Sequence, residues 1–411
     1  MNRGVDLRGK AFAIIYYAIM LIAYLFMLPI LGFFALFKPK YRQSIPARFF
    51  HTQHFGDFAP EVWIHACSLG EVNSLQAILD KNLSQKKLLT TTTNTGFAKA
   101  NELFSSYQNV AIAYLPFEIF IPFIMPKGLK KLVVLEAELW FMLFFCAKNA
   151  GAKNILLNAR ISAKSYPKYK KNVWFYKRLF CYIDKVFCQQ EADKERLSEL
   201  GAQNIEVIGN IKALIKPCVS ENFAIFSTYK DALLANGANL IVAASTHKGE
   251  EELILRSFKA NFSDLPSTRL IIVPRHPERF GEVWGLIESH GFNATKYSQS
   301  GLHSESQVIL LDTIGQLINA YAIADCVILG GSFVKVGGHN PLECAHFGVK
   351  LISGEHIFNQ LALFALVEGY KIAKNNELCD ILGDFENLPK SQINDLALLQ
   401  MQNKISEILS N

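Results

Sequence analysis

The sequence predicts an α/β protein in which an N-terminal membrane-anchoring helix precedes two Rossmann-like, doubly wound domains. Three observations support this fold class. Residues 11–37 (AFAIIYYAIMLIAYLFMLPILGFFALF) carry no charged side chain. Two successive series of short apolar runs then alternate with amphipathic stretches, and a polar segment at residues 215–238 separates the two series. Such alternation is typical of open parallel sheets with helices on both faces.

Composition excludes several classes of protein. Half of the 411 residues are apolar or aromatic, a proportion that supports large cores and argues against disorder. The net charge of +6 is modest, weaker than that of a dedicated nucleic-acid binder, so we expect no nucleic-acid partner. The eight cysteines form no C-x-x-C pair and no cluster at metal-ligand spacing. They are therefore expected to be buried free thiols in a reducing compartment, with no metal bound.

The predicted anchor occupies residues 1–45. A bilayer core requires about 20 apolar residues in a helix, so the uncharged stretch is long enough to cross a membrane. Pro29 and Gly32 would equally permit a kinked, shallow insertion into one leaflet. A buried core helix is the alternative, although such helices seldom run so far without charge. Basic residues flank both sides, so the free thiols and the nucleotide-type motifs downstream, not the charge bias, place the main body in the cytoplasm.

The remainder is predicted to form two domains, residues 46–215 and 216–411. In doubly wound sheets, ligands bind beyond the carboxyl ends of the strands, where the strand order reverses. Polar motifs follow the apolar runs throughout this chain, and they lie at predicted strand exits. They are CSLGE, TTTTNTG, LEAELW and LNARIS in the first domain, and STHKGEE, PRHPERF, DTIGQL, GGS and GGHNPLE in the second.

The GGHNPLE motif, residues 337–343, predicts an anion site at the start of a helix. Gly337 and Gly338 permit positive φ and a close approach of the backbone to a ligand. A capping residue such as Asn340 and a proline in the first turn would begin a helix whose free N–H groups attract phosphate. Glu343, one turn further on, is better placed to accept hydrogen bonds from ribose hydroxyls. A simple glycine turn with a helix cap is the alternative.

One further motif of the second domain, PRHPERF, has properties of a phosphate site. In PRHPERF, Arg275 and His276 follow an apolar strand between two prolines, so a planar guanidinium can be held toward phosphate oxygens. Ser332 ends the GGS motif at another strand exit. A charged surface loop is the alternative for PRHPERF considered alone.

Three acidic residues of the first domain, Glu71, Glu136 and Glu138, belong to motifs at predicted strand exits. Glu71 lies at a strand-to-helix turn, where the helix dipole would normally keep its carboxylate ionised, as a general base for an alcohol acceptor requires. An ordinary glutamate at a helix start is the alternative. Glu136 and Glu138 are two residues apart on a predicted strand and would share one face, either as a buried acidic pair or as partners of an arginine.

Residues 163–180, AKSYPKYKKNVWFYKRLF, combine six basic residues with five aromatic side chains between Tyr166 and Tyr176 and contain no acidic residue. This mixture suits the headgroup level of a membrane or a phosphorylated lipid. RNA binding and a merely solvated helix face are the alternatives, and the neighbouring anchor favours membrane contact.

The ordered set of motifs CSLGE, LEAELW, NARIS, GNIK, PRHPERF, DTIGQL, GGSF and GGHNPLE, behind an N-terminal anchor, closely resembles the 3-deoxy-D-manno-octulosonic acid (Kdo) transferases of Gram-negative bacteria. The resemblance implies a GT-B glycosyltransferase whose two Rossmann-like domains face a central cleft. It implies transfer of Kdo from CMP-Kdo to a lipid A precursor, lipid IVA, with inversion and without a metal or other cofactor. It also implies lipopolysaccharide biosynthesis on the cytoplasmic side of the inner membrane, with membrane lipid contacted by residues 11–37 and 163–180.

The resemblance also assigns residues. Glu71 would be the general base that deprotonates the acceptor hydroxyl. Ser332 would lie at the donor cleft. The CMP-binding set would be Arg275, His276, Gly337, Gly338, Asn340 and Glu343. Gln316 in DTIGQL stands where the family usually has an acidic residue, so no role is assigned to that loop.

Two other functions share parts of this pattern. Another GT-B transferase or a sugar-nucleotide epimerase that uses UDP donors would have the same architecture. A lipid-tethered nucleotide sensor would need the anchor and the nucleotide site but no general base. A UDP-dependent enzyme would be stabilised by UDP and not by CMP, which the melting temperature reports. A nucleotide sensor would keep its function in the Glu71→Ala variant.

Overall fold

The computed structural model describes residues 7–49, 58–79, 85–262 and 267–410. The chain forms two compact units, unit 1 (residues 1–215 with 399–411) and unit 2 (residues 216–398). The sequence assigned 399–411 to the second domain, and this assignment is wrong. Apolar side chains of that segment are buried, and its Ile408 carbonyl accepts a hydrogen bond from Lys131 Nζ at 2.7 Å, which attaches the end of the chain to unit 1.

The sheet of unit 1 is parallel throughout its described strands. These are β1 (Val62–His65), β2 (Lys87–Thr91), β3 (Val110–Tyr114), β4 (Lys131–Leu135), β5 (Lys153–Ala159), β6 (Lys185–Cys188) and β7 (Ile205–Val207). Their order is β3-β2-β1-β4-β5-β6-β7: β2 and β3 are added on one side of β1 and β4 to β7 on the other, so the strand order reverses between β1 and β4. β1, β2 and β4 are buried along their whole length, as expected for central strands covered on both faces.

Helices cover this sheet. They are α1 (Leu7–Phe37), α2 (Ser44–Phe49), α3 (Leu69–Leu79), α4 (Asn94–Phe104), α5 (Ile121–Ile124), α6 (Phe141–Asn149), α7 (Tyr166–Lys171), α8 (Val173–Phe180) and α9 (Glu191–Glu199). Single 3₁₀ turns occupy 39–41, 118–120 and 211–214. The core combines Trp63, Leu132 and Phe144, all inaccessible to solvent, with apolar residues of the other strands and helices.

The predicted apolar helix is present as α1. Among the described residues, Gly9–Phe37 is the one helix long and apolar enough to cross a membrane. The first six residues of the predicted anchor lie outside the described part of the chain. One side of α1 packs on unit 1: Tyr16 Oη donates to Glu118 Oε2 at 2.8 Å, and Tyr17 Oη donates to the Ile119 carbonyl at 2.9 Å. Further along, the Tyr24 ring packs against Phe117. α1 is thus joined to the rest of unit 1 along one side.

Unit 2 contains a second parallel sheet of seven described strands. The strands are β8 (Asn239–Thr246), β9 (Thr268–Pro274), β10 (Ala294–Lys296), β11 (Val308–Leu310), β12 (Cys326–Leu329), β13 (Lys350–Gly354) and, after the short β14 (Val367–Glu368), β15 (Tyr370–Ala373). Their order is β10-β11-β9-β8-β12-β13-β15, and β14 pairs antiparallel with β16 (Gln392–Ile393). The reversal of this sheet falls between β8 and β12.

The helices of unit 2 are shorter on average. They are α10 (Phe223–Ala235), α11 (Glu250–Phe262), α12 (Phe280–Ser289), α13 (Tyr297–Ser300), α14 (Leu317–Ile323), α15 (Leu342–Ala345), α16 (Leu361–Phe364) and α17 (Leu378–Gly383). The last helix, α18 (Asp395–Ser410), runs from unit 2 into the segment that packs with unit 1. The prediction of two doubly wound α/β halves behind an apolar helix is confirmed.

Candidate active site

Glu71 lies beyond the carboxyl end of β1, at the strand reversal of unit 1. Its side chain folds back over the start of α3, where Oε2 accepts a hydrogen bond from the Cys67 backbone N–H at 2.8 Å and Oε1 accepts one from Ser68 Oγ at 2.7 Å. Only 6% of the residue is exposed. The carboxyl group is therefore fixed by the turn that precedes its own helix.

The sequence predicted an ordinarily ionised carboxylate at Glu71, and the structure corrects this. Burial raises the pKa of Glu71 to about 7, against the opposing hydrogen bond from Ser68 and with the help of the negative charge of Glu136. Desolvation outweighs the favourable position at the helix start because the side chain is nearly removed from water. A carboxyl group with this pKa is well matched to accept a proton near neutral pH.

The two glutamates of LEAELW do not form the expected pair on one strand face. β4 ends at Leu135, and Glu136 has a φ of 55°, so the alternation of a strand stops before these residues. Lys212 Nζ, from the GNIK motif, lies 2.7 Å from Glu136 Oε1. Glu138 Oε2 instead accepts a hydrogen bond from Trp140 Nε1 at 2.8 Å. Both carboxylates are partly exposed, and Lys212 is a site residue that the sequence analysis missed.

Two basic residues lie at the same strand ends. Arg48, from α2, donates through Nε to the Leu115 carbonyl at 2.8 Å, and its guanidinium stacks 4.2 Å above the Phe117 ring. His65, the last residue of β1, is fully buried with Nδ1 at 3.1 Å from the Thr90 carbonyl oxygen. Burial, together with the positive charge of Arg48, lowers the pKa of His65 to about 3. His65 is therefore neutral, and Arg48 supplies a fixed positive charge near the acidic groups.

In unit 2, the backbone amides of the GGS turn are already occupied. The N–H groups of Gly331, Ser332 and Phe333 donate to the carboxylate of Glu250 at 2.7, 3.0 and 2.9 Å. Glu250 is inaccessible to solvent and also accepts a hydrogen bond from the His247 N–H at 2.8 Å. An internal carboxylate thus takes the place that a phosphate would have in such a nest of amides.

Ser332 is placed differently from the expectation. Its hydroxyl donates to the Leu329 carbonyl at 2.5 Å and accepts a hydrogen bond from the Gly354 N–H at 2.7 Å. The residue is fully buried. Ser332 therefore fixes the turn after β12, and its side chain faces the interior of unit 2 instead of solvent.

The two glycines of GGHNPLE adopt the positive φ expected of them, 112° at Gly337 and 79° at Gly338. Both N–H groups donate to the Gly331 carbonyl, at 3.1 and 2.8 Å. The following helix is shorter than expected, because α15 has only four residues, and Asn340 Oδ1 accepts a hydrogen bond from the Leu342 N–H at 3.0 Å. Asn340 caps this turn, and the amides predicted for an anion are mostly used within the loop.

Side chains, in contrast, form a cluster of three histidines and one arginine at the strand reversal of unit 2. His247 Nε2 and His339 Nε2 are 2.9 Å apart, and the His276 ring centroid is 5.3 Å from that of His247. Burial, together with the neighbouring His247, Arg275 and His276, lowers the pKa of His339 to about 4. Arg275 and His276 thus lie close to His247 and His339.

Glu343 lies near this cluster, His247 is a member that the sequence did not predict, and Arg279 is paired elsewhere. Glu343 lies within the electrostatic range of Arg275; burial raises its pKa, whereas a hydrogen bond from Asn340 Nδ2 at 3.2 Å opposes the rise. His247 was missed by the sequence analysis, although its position in STHKGEE, directly after β8, was the available signal. Arg279 is not free for a ligand, because its guanidinium forms a two-point ion pair with Glu251 at 2.7 and 3.0 Å. Within the described ranges, no three His, Cys, Asp or Glu residues are grouped so that they could hold a metal ion.

Comparison with known proteins agrees with the motifs. Residues 43–215 match the family model described as 3-deoxy-D-manno-octulosonic-acid transferase (kdotransferase). The chain is 32% identical over 383 residues to a 3-deoxy-D-manno-octulosonic acid transferase of Haemophilus influenzae, covering 89% of this chain and 88% of that one. It is 34% identical over 337 residues to a bifunctional glycosyltransferase/methyltransferase of Fusobacterium nucleatum, covering 78% of this chain and 51% of the other.

A solved structure extends the agreement to the fold. The crystal structure of a glycosyltransferase from Rickettsia africae aligns with a TM-score of 0.53 at 14% identity, covering 85% of this chain and 98% of that one. Identity this low supports the fold alone, and the GT-B prediction is confirmed at that level. The relatives decide the family: the chain belongs to the 3-deoxy-D-manno-octulosonic acid transferases and is a glycosyltransferase.

Proposed function

We propose that this protein transfers Kdo from CMP-Kdo to a lipid A precursor, lipid IVA, with inversion and with Glu71 as the general base. The observation that carries the proposal is the Glu71 carboxyl group, which lies at the strand reversal of unit 1 with a pKa of about 7. Its two hydrogen bonds fix both oxygens at the end of β1. A carboxylate held in this way can accept a proton from an acceptor hydroxyl without reorganising.

The reaction follows from these groups. As the acceptor hydroxyl oxygen forms a bond to the anomeric carbon of Kdo, its proton passes to Glu71. The bond between that carbon and the CMP phosphate breaks, and the phosphate leaves with the electron pair. A single displacement inverts the anomeric configuration. Negative charge develops on the leaving phosphate, so a cationic site for the nucleotide lowers the barrier.

Unit 2 is proposed to bind the donor. Arg275 supplies positive charge for the phosphate, and the rings of His276 and the neighbouring His339 offer nitrogen atoms for hydrogen bonds to it. Glu343, held by Asn340, is available to the ribose hydroxyls. Gly337 and Gly338 contribute the shape of the loop, because a side chain at Gly337 would place its Cβ 2.1 Å from Asn359 Nδ2. Ser332 fixes the preceding turn, after β12, from inside.

Unit 1 is proposed to face the inner membrane from its cytoplasmic side. Trp174 and Phe123 expose 64% and 77% of their area, and the Phe12 ring of α1 lies beside Trp174 with centroids 6.3 Å apart. The basic-aromatic segment 163–180 is thus continuous with the exposed apolar side of α1. All eight cysteines are free, in keeping with a reducing compartment. The expectation that they are buried is wrong for five of them: Cys188, Cys326 and Cys344 are buried, whereas Cys181 and Cys218 are exposed and the other three are intermediate.

The contacts of α1 favour insertion into one leaflet. The helix packs on unit 1 at Phe12, Tyr16, Tyr17 and Tyr24, so this half of it cannot enter the bilayer away from the protein. Residues 25–37 remain, and at about 1.5 Å per residue they extend roughly 20 Å. A hydrocarbon core is about 30 Å thick. The remaining length is too short to cross it, whereas it suffices for one leaflet.

The test is direct. The purified full-length protein is incubated with CMP-Kdo and lipid IVA, and the product is analysed by mass spectrometry. We expect lipid IVA to gain the mass of one or more Kdo residues, with the same yield after addition of EDTA. Glu71→Gln is the matched inactive control. Transfer from a UDP-sugar but not from CMP-Kdo, or full activity of the Glu71→Gln enzyme, would contradict the proposal.

A further inference from the structure

Two histidines of unit 2 are in direct contact through their ring nitrogens. His247 follows β8, and His339 lies in the loop before α15. Their Nε2 atoms are 2.9 Å apart, and the rings are stacked at 14° with centroids 5.2 Å apart. A hydrogen bond at this distance requires one proton between the two nitrogens, so one ring donates through Nε2 and the other accepts.

The fold holds this pair in place. The His247 N–H donates to the buried Glu250, which also binds the turn that contains Gly331. Gly331 has a φ of 67°, and a Cβ on it would lie 2.9 Å from His339 Cδ2. The loop that carries His339 is in turn bonded through Gly338 to the Gly331 carbonyl. The contact between the rings is therefore built by three segments and does not depend on one mobile side chain.

Two positively charged side chains, Arg275 and Arg279, act on the pair. The His276 ring faces His247, and the charge of Arg275 acts on both members of the pair. Arg279 also acts on His247, with its ion-pair partner Glu251 opposing it. The second carboxylate nearby, Glu250, accepts hydrogen bonds from backbone N–H groups through both oxygens. With burial, these cations lower the pKa values of His247 and His339, so the pair is neutral at pH 7 without a ligand.

We propose that the His247–His339 pair is the phosphate subsite for the donor nucleotide and that it takes up a proton when the phosphate binds. The inference rests on the proposed function, and it assigns two residues and a proton to that site. The ligand class is a phosphate monoester or diester, of which CMP and the phosphate of CMP-Kdo are the relevant cases.

The chemistry allows one additional proton. In the neutral pair, the ring that donates through Nε2 has an unprotonated Nδ1. A proton added there makes that ring an imidazolium and leaves the Nε2 hydrogen bond intact, so the pair gains one positive charge without separating. A bound phosphate stabilises this charge, which raises the affinity for the proton. When CMP leaves, the proton returns to solvent and the pair is neutral again.

Isothermal titration calorimetry measures this proton. CMP is titrated into the full-length protein at pH 7.5 in several buffers of different ionisation enthalpy. At this pH free CMP is almost wholly dianionic, because the second pKa of a phosphate ester is about 6. We expect net uptake of a fraction of a proton per CMP bound. His247→Asn and His339→Asn should each remove the uptake and weaken binding about tenfold or more, since a charge-assisted hydrogen bond is lost.

His303, an exposed histidine of the same unit, provides the control. His303→Asn should leave affinity and proton uptake as they are. CMP binding without proton uptake, or uptake that survives in both pair variants, would overturn this inference while leaving the proposed function standing. Absence of CMP binding would contradict the proposed function. In that case, inorganic phosphate titrated in parallel tests the His247–His339 pair alone: proton uptake that is present in the parent protein and absent from both pair variants supports the inference, and any other result overturns it.

Discussion

Lys212 Nζ lies 2.7 Å from Glu136 Oε1 at the carboxyl end of β4, and this ion pair adjusts the charge around Glu71. The negative charge of Glu136 is one cause of the raised pKa of Glu71. We therefore expect Lys212, which neutralises Glu136, to limit the rise in the pKa of the proposed base. Glu136 has a positive φ, an uncommon conformation for glutamate, so the backbone there is shaped for this arrangement.

Replacement of Lys212 by methionine should move the pH dependence of activity. Without its partner, Glu136 acts on Glu71 with its full charge. We expect the acidic limb of the kcat/KM profile to shift upward by about 0.5–1 pH unit. Lys212→Arg keeps the charge and should keep the profile. An unchanged profile in the methionine variant would show that the ion pair does not reach the base.

Glu71 itself should determine that limb. Because its pKa is raised to about 7, the carboxyl group is protonated and inactive at lower pH and becomes a base as the pH rises. We expect kcat/KM to increase about tenfold per pH unit below the pKa and to level off above pH 7 to 8. Glu71→Gln should lower kcat by at least about 10²-fold. CMP affinity, measured by calorimetry, should not change, because Glu71 is assigned to the acceptor side.

His65 should make unit 1 sensitive to acid. Its pKa is lowered to about 3, below the ordinary value near 6.5, so the native state holds it neutral. The stabilisation is complete above about pH 6.5 and is lost as the pH falls toward 3. The difference amounts to about 2 kcal/mol between pH 8 and pH 5. Urea unfolding at both pH values measures this difference in the free energy of unfolding. On going from pH 8 to pH 5, the His65→Gln variant should lose about 2 kcal/mol less stability than the parent protein.

The double-glycine turn offers a test of backbone geometry. At Gly337 the φ of 112° and the close approach of Asn359 both exclude a side chain. Gly337→Ala should destabilise the protein by about 1–3 kcal/mol and weaken CMP binding. Gly285→Ala, in the exposed middle of α12 with nothing within 4 Å of the new methyl group, should instead stabilise by up to about 1 kcal/mol. Thermal unfolding of both variants, with and without CMP, separates the two effects.

The proposed membrane contact of residues 163–180 can be examined by fluorescence. Trp174 is exposed beside α1, whereas Trp63 is fully buried. In vesicles of anionic phospholipid, lipids brominated near the headgroup should quench Trp174. The quenching should fall sharply in Trp174→Phe, which is the control, because Trp63 is fully buried and Trp140 and Trp284 are partly buried. Equal quenching in both proteins would place residues 163–180 away from the lipid.

Local sequence patterns were enough to predict the helices and strands and the positions of most motif residues at the strand ends. Uncharged length predicted α1, and the alternation of apolar runs predicted both parallel sheets, because side-chain periodicity is a property of the chain itself. The positive φ of Gly337 and Gly338 followed from residue type alone. Motifs directly after apolar runs located Glu71 and Arg275, since strand exits converge at one edge of a sheet.

What the sequence by itself determined, then, is which segments form strands and helices and which polar residues stand at their ends. Only the tertiary structure decided the partners. Glu250 occupies the amides of a turn 81 residues later, Ser332 faces inward, and the rings of His247 and His339 meet across 92 residues. The reason is physical: hydrogen bonding, desolvation and charge pairing depend on distances between segments remote in the chain, and these distances exist only once the sheets have formed.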